Sequence, residues 1–146
     1  MTSIVRRPTS DLFVPSNWSV TPSSPATYWD KVDEANDTEY LNVENTLGGA
    51  VEFGFTVFNV PNSATITNVT IRVKAAHLTG TMTLGYRIQA GGTSYEDSTD
   101  YGSSFEDNSW VLTTNPKTGV AWTQDDLNGL GAGALQRIGL SASGVI

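Results

Sequence analysis

The feature that most constrains the fold is a pair of strictly alternating runs in the middle of the chain. In the first run, one parity holds Val69, Ile71, Val73, Ala75 and His77, and the other holds Thr70, Arg72 and Lys74. After a break at Thr79-Gly80, a second run places Met82, Leu84, Tyr86 and Ile88 on one face. Period-two alternation is typical of strands with one buried face. We therefore expect a β-sheet scaffold.

Length, charge and cysteine content narrow the class of protein. A chain of 146 residues is expected to form one domain with its own core. It contains no cysteine, so disulfides and thiolate metal sites are excluded. A formal net charge of −7 argues against non-specific binding to nucleic acid or anionic lipid. No segment approaches the ~20 apolar residues of a membrane span, and none at the start resembles a signal peptide. We expect no nucleic-acid partner and no membrane partner.

Residues 1–25 are predicted to form an extended N-terminal arm, and residues 26–146 a single sandwich domain. Four prolines forbid a helix through the arm: Pro8, Pro15, Pro22 and Pro25. The arm is nevertheless studded with apolar residues, which a solvated tail would not need: Ile4, Val5, Leu12, Phe13, Val14 and Trp18. Two interpretations stay open. The arm either forms a strand over its own core or docks on a neighbouring subunit.

The remaining pattern predicts short strands separated by turns, with one helix. Strands are expected at 51–58, 110–114 and 135–140, turns at 61–63 and 91–92, and a polar loop from Ser94 to Ser109. Thr123 followed by Asp126 predicts a capping box that opens a helix of about two turns. The predicted fold class is all-β: a jelly-roll-like β-sandwich with one short α-helix near the C-terminus.

Aromatic residues beside a run of carboxylates suggest one candidate binding site. Trp18, Tyr28 and Trp29 precede an acidic segment, Asp30 to Glu39, and such a group could form a platform that stacks on a sugar ring. Alternatively, Trp18 and Tyr28 are core or edge residues with a polar tip at the surface. The acidic segment could bind calcium, but it lacks EF-hand spacing, and a solvated acidic turn is the simpler interpretation.

The sequence predicts no catalytic set. A carboxylate pair such as Glu52 with Glu96 could serve a glycosidase, but the required separation, ~5 or ~6.5–9.5 Å, is not readable from sequence. The single histidine, His77, lies on the apolar parity of its run. No serine stands in a G-x-S-x-G motif, and no glycine-rich phosphate loop precedes a helix. We therefore expect no enzyme activity, no cofactor and no metal.

Two segments together resemble a group of tailed-phage virion proteins with a jelly-roll fold. The first is Trp18 followed by Tyr28-Trp29-Asp30-Lys31-Val32-Asp33-Glu34, with Asp37 and Tyr40 after it. The second, more specific, is Trp110 with Asn115-Pro116-Lys117-Thr118-Gly119-Val120-Ala121-Trp122-Thr123 and Asp126-Leu127. The resemblance implies a capsid decoration (cement) protein or fibre module at the virion surface. Its partner would be the major capsid protein, and it would form a homo-oligomer, either a trimer or a dimer.

On this hypothesis, the arm carries the contacts with the shell. Leu12, Phe13, Val14 and Trp18 would be apolar anchors, and Arg6 and Arg7 would pair with carboxylates of the shell. The tail from Leu135 is weaker than the last strand usual in proteins of this kind, so it either completes the domain's own sheet or pairs with a neighbour. The alternative function is a carbohydrate-binding β-sandwich module, either free-standing or on a tail fibre, with Trp18, Tyr28 and Trp29 as its platform.

Overall fold

A computed structural model describes residues 3–15, 18–21, 23, 27–28, 40–43, 49–76 and 81–145. Within them the chain is all-β with one short helix, as predicted. The elements are β1 (Pro8–Phe13), β2 (Trp18–Thr21), β3 (Tyr40–Val43), β4 (Gly49–Phe55), β5 (Val69–Ala75), β6 (Thr81–Ala90), β7 (Thr93–Asp100), β8 (Glu106–Leu112), α1 (Gln124–Leu127) and β9 (Leu135–Val145).

The strands form one five-stranded antiparallel sheet and two ribbons. The sheet has the order β1-β4-β9-β6-β7, and the ribbons are β2-β3 and β5-β8. The last strand, β9, lies between β4 and β6 and pairs with both. The tail therefore completes the chain's own sheet, which was one of its two predicted alternatives.

The core lies between the inner face of the sheet and the β5-β8 ribbon. β5 alternates strictly, burying Ile71, Val73 and Ala75 while the residues between them are exposed. β4 and β6 contribute Val51, Phe53, Leu84, Tyr86 and Ile88 to the same cluster. The Trp110 ring of β8 meets the Tyr86 ring of β6 edge-on at 5.3 Å between centroids, which joins the ribbon to the sheet. The alternating runs thus form the strands that they predict.

The prediction of a loop from Ser94 to Ser109 is wrong. These residues form most of β7 and the first part of β8. β7 is polar except for Tyr95, which packs against the core, so its sequence carries no apolar alternation. It becomes a strand because the Gly91-Gly92 turn, with φ of 54° and 77°, folds it back onto β6. The ladder with β6 then satisfies the backbone groups on that side of β7.

The segment from Asn115 to Leu127 is a corner fixed by side chains. Asn115 is fully buried, donates to the Gly133 carbonyl at 2.8 Å and accepts from the Lys117 amide at 2.9 Å. Trp122 is buried and donates from Nε1 to the Leu112 carbonyl at 3.0 Å. The capping box predicted at Thr123 and Asp126 is present. The helix is one turn rather than two, because Gly129 and Gly131 follow with positive φ.

Candidate functional site

The edge strand β1 carries two exposed apolar side chains. Among the described strands β1 pairs only with β4, and its register shifts twice, so that Thr9 and Leu12 have no partner opposite them. Such bulges re-aim side chains. Leu12 is 47% exposed and Phe13 is 56% exposed. We call Leu12 and Phe13 the apolar rim.

The apolar rim lies toward the outer face of the sheet, away from the core. Phe13 is opposite Glu52, and paired residues of an antiparallel ladder point to the same face. Glu52 alternates with the core residues Val51 and Phe53, so it points outward. Leu12 reaches over the next outward position of β4, since a Cβ built on Gly54 would lie 3.6 Å from a Leu12 methyl carbon.

Arg6, predicted to pair with a partner's carboxylates, is bound within the chain. Its guanidinium donates to the Val57 carbonyl at 3.2 Å and to the Phe58 carbonyl at 2.9 Å. The same group lies 5.8 Å from the centre of the Phe58 ring. Arg6 therefore fastens residues 3–7 to the segment after β4, while Arg7 is exposed.

Trp18 needs correction for both predicted surfaces. Its side chain is only 4% exposed and belongs to the core, because β2 turns it inward beside β3. Val14 is half-buried against the same core. Tyr28 is half-buried; its hydroxyl donates to the Trp18 carbonyl at 2.9 Å, and its amide donates to Asp11. The burial of Trp18 agrees with the alternative interpretation of that residue as part of the core. Trp29 and the segment Asp30 to Glu39 lie outside the described residues.

A charged row crosses the outer face beside the apolar rim. Arg137 donates to Glu52 at 2.8 Å, and the Arg87 Nε lies 3.5 Å from Glu52 and 3.3 Å from Glu96. Between Glu52 and Arg87 in the row stands Gly139, whose missing side chain leaves space for the ion pair. The Glu52 side chain is 11% exposed, so its two arginine partners compensate a carboxylate that is largely removed from water.

The same row contains the carboxylate pair considered from the sequence, Glu52 with Glu96. Both carboxylates lie within 3.5 Å of the Arg87 Nε, so each forms an ion pair with the same guanidinium. The Arg87 Nε has no well-aligned hydrogen bond despite both short distances. Neither Arg87 nor Arg137 was predicted from the sequence to take part in a site. The pairing of Glu52 with Arg87 could have been suspected from the strand pattern. Glu52 and Arg87 each lie on the outward face of a strand whose inward face is apolar.

Other chemistry is sparse within the part of the chain that the structure describes. No group of three or more His, Cys, Asp or Glu side chains there is placed to hold a metal ion. No helix there is long and apolar enough to cross a membrane. The two groups with a shifted pKa, Tyr86 and Tyr101, lie in the core and not on the outer face. His77 lies outside the described residues.

No family model, no curated protein and no solved structure matches this chain. The role of the outer face is therefore inferred from its own residues.

Proposed function

We propose that this chain is a virion structural protein that binds and stabilises an assembled phage shell as a capsid decoration protein. The observation that carries the proposal is the apolar rim, where two large apolar side chains stand about half exposed on an edge strand. Adjacent exposed apolar residues on a polar surface are typical of interaction sites. The rim consists of two of the four apolar anchors predicted from the arm; of the other two, Trp18 lies in the core and Val14 packs against it.

The strand order supports a jelly-roll-related architecture for this proposal. In the five-stranded sheet the last strand inserts between β4 and β6, while β5 leaves for the second layer and pairs there with β8. The chain thus crosses between two layers from β4 to β5 to β6 and again from β7 to β8 to β9, as chains do in the Greek-key connections of double-sheet jelly rolls. The buried corner at Asn115 and Trp122, which includes the most specific part of the resemblance, has an architectural role in the structure.

The proposed mechanism is mass action on the shell. Completing the burial of Leu12 and Phe13 would contribute roughly 1 kcal/mol each, since full burial of such a side chain is worth about 1.5–3 kcal/mol. A protein that binds only the assembled shell stabilises it by RT ln(1 + [L]/Kd) per site. Many weak sites then sum to a large effect, and a trimer or dimer would gain further through avidity.

The first experiment locates the protein. Antibodies raised against the purified chain are applied to intact particles of the virus that encodes it, with gold-conjugated secondary antibody and electron microscopy. We expect regular labelling of the head surface. Labelling confined to the tail would replace the decoration proposal with the fibre module, and unlabelled particles that also lack the chain by mass spectrometry would refute both.

The second experiment tests the apolar rim. The double variant L12D/F13D should lose binding to undecorated shells by about tenfold or more in co-sedimentation, because two anchors become charges at the interface. The matched control is V111D/V120D, which changes two valines elsewhere that are 58% and 60% exposed. Far-ultraviolet circular dichroism checks that both variants fold. Equal binding by wild type and L12D/F13D would show that the rim is not the contact surface.

A further inference from the structure

The opposite edge of the sheet, β7, is built differently from β1. All eight of its residues pair with β6 without a register shift, and it contains no proline. No described strand lies on its other side. Most of its side chains are exposed, including Ser94, Glu96, Asp97, Ser98 and Asp100. β1, in contrast, carries Pro8 and two bulges, which are devices that prevent another strand from pairing. β7 is therefore the regular edge of this sheet.

Two contacts show which backbone groups of β7 face the open side. A Cβ built on Gly85 of β6 would collide with the Asp97 carbonyl oxygen, so this carbonyl points toward β6. The Ser98 amide instead donates to the Asp97 side chain, Oδ1, at 2.8 Å. Backbone groups of successive residues alternate sides in an antiparallel ladder. The amides and carbonyls of residues 94, 96, 98 and 100 accordingly line the open edge.

The charge on this edge favours one kind of occupant. Glu96, Asp97 and Asp100 are all acidic, and the strand carries no basic residue. A second copy pairing antiparallel through β7 would set carboxylates opposite carboxylates, which is destabilising. The net charge of −7 adds to that repulsion. A strand rich in lysine or arginine would instead place opposite charges across the new ladder.

We propose that the open edge of β7 is a strand-addition site for an extended basic segment of a partner polypeptide. The incoming strand adds to the sheet by main-chain hydrogen bonds, and its basic side chains select for β7. Binding breaks the hydrogen bond from the Ser98 amide to the Asp97 side chain. A lysine or arginine of the partner then pairs with the Asp97 carboxylate, and the Ser98 amide donates to a carbonyl of the incoming strand. This site is separate from the apolar rim and does not depend on the decoration role.

The test uses the full chain and a synthetic peptide matched in length to the eight residues of β7, alternating threonine with lysine or arginine. Binding is followed by titration in ¹⁵N-edited NMR together with amide hydrogen exchange. We expect new protection of the amides of residues 94, 96, 98 and 100, while those of 95, 97 and 99 stay as they are. A peptide with glutamate in place of lysine and arginine should not bind, and N-methylation of alternate residues should abolish binding by the basic peptide.

The variant D97N/D100N tests the charge without removing the side-chain oxygens that accept from Ser98 and Thr83. We expect affinity for the basic peptide to fall about three- to tenfold, as for the loss of two exposed ion pairs. The matched control D107N/D125N removes the same charge elsewhere and should leave affinity unchanged. Protection without the alternating pattern, equal binding of the acidic peptide, or equal weakening by the control would each overturn the proposal.

Discussion

At the scale of single residues, Tyr101 places a polar hydroxyl group inside the described hydrophobic core. Its hydroxyl is buried without a well-formed hydrogen bond, and only 4% of the residue is exposed. Burial raises the pKa of the Tyr101 phenol, the nearby Asn108 side chain opposes the rise, and the carboxylates of Glu106 and Asp107 add to it. Burial, followed by the charge of Asp97, also raises the pKa of Tyr86. Both phenols are thus held neutral in the folded chain.

These shifts predict a loss of stability at alkaline pH. Below pH 10 both phenols are protonated in the folded and unfolded states, so they do not change the free energy of unfolding with pH. Above pH 10 the unfolded chain releases the two protons while the folded chain keeps them, so the free energy of unfolding falls as pH rises. The slope is at most about 1.4 kcal/mol per pH unit for each tyrosine until its folded pKa is reached. Urea unfolding at pH 8 to 11.5 measures it.

The variant Y101F separates this effect from general alkaline denaturation. It removes one titrating group, so its stability should fall less steeply above pH 10. At pH 8 it should be equal to wild type or about 1 kcal/mol more stable, because an unpaired buried hydroxyl is removed. Parallel pH curves for wild type and Y101F would contradict the assignment.

Single residues also mark how far the sequence predicts the site. Leu12 and Phe13 could be predicted from the sequence as contact residues. They are apolar residues in a proline-rich segment that shows neither helix nor strand periodicity. The intrachain bonds of Arg6 could not be predicted, because the carbonyls of Val57 and Phe58 come near its guanidinium only once the chain has folded. Trp18 was ambiguous for a similar reason, since its burial depends on pairing with β3.

At the scale of elements, the sequence predicts strands whose side chains alternate and misses those held by their neighbours. β5 and β6 alternate, and both form where expected. β7 was missed because an edge strand that packs only one large side chain, Tyr95, against the core shows no apolar alternation and is held by a turn and a ladder. Helix α1 was found through its cap but overestimated in length, since the glycines that end it lie close behind.

A substitution at Gly139 tests how closely the central strand β9 packs against β4. It stands between β4 and β6, and a Cβ at this position would meet the Val51 carbonyl and lie 3.2 Å from the Glu52 Cα. These atoms belong to the backbone and cannot rotate away. G139A should lower the free energy of unfolding by about 1–3 kcal/mol, toward the upper end of the range for overpacking. Thermal and urea unfolding measure the loss.

Gly54 provides the matched control on the same outer face. A Cβ there collides only with the Ser10 hydroxyl, which can turn aside. G54A should therefore cost less than G139A, and S10A/G54A should recover most of that smaller loss. If G54A and G139A cost the same, the close approach of β9 to β4 would not explain the glycine.

At the scale of the whole molecule, strand neighbours could not be predicted from pattern. Nothing in the residues of β9 indicates that it pairs with β4 on one side and β6 on the other, because alternation defines a buried face and not a partner. The short strands separated by turns, together with the resemblance, predicted two layers, and the all-β class is what the structure shows. The position of each strand depends on the shape of the whole core.

The central position of β9 has a consequence for the order of events in folding. β1 and β4 form one half of the sheet and β6 and β7 the other, and no described strand except β9 joins them. During synthesis both halves are complete long before Leu135 is added. Until then their apolar faces and open edges are exposed together, a condition that favours aggregation.

Chains stalled on the ribosome before Leu135 should therefore remain sensitive to protease, and chains stalled well beyond Val145, on an added linker, should become resistant. Refolding of the complete chain, followed by tryptophan fluorescence in stopped flow, should take milliseconds to seconds, as in other folds dominated by distant pairings. Protease resistance before β9 is made would show that the halves fold independently. Otherwise the sheet closes in one late step, and the time between β7 and β9 is when this chain most needs a chaperone.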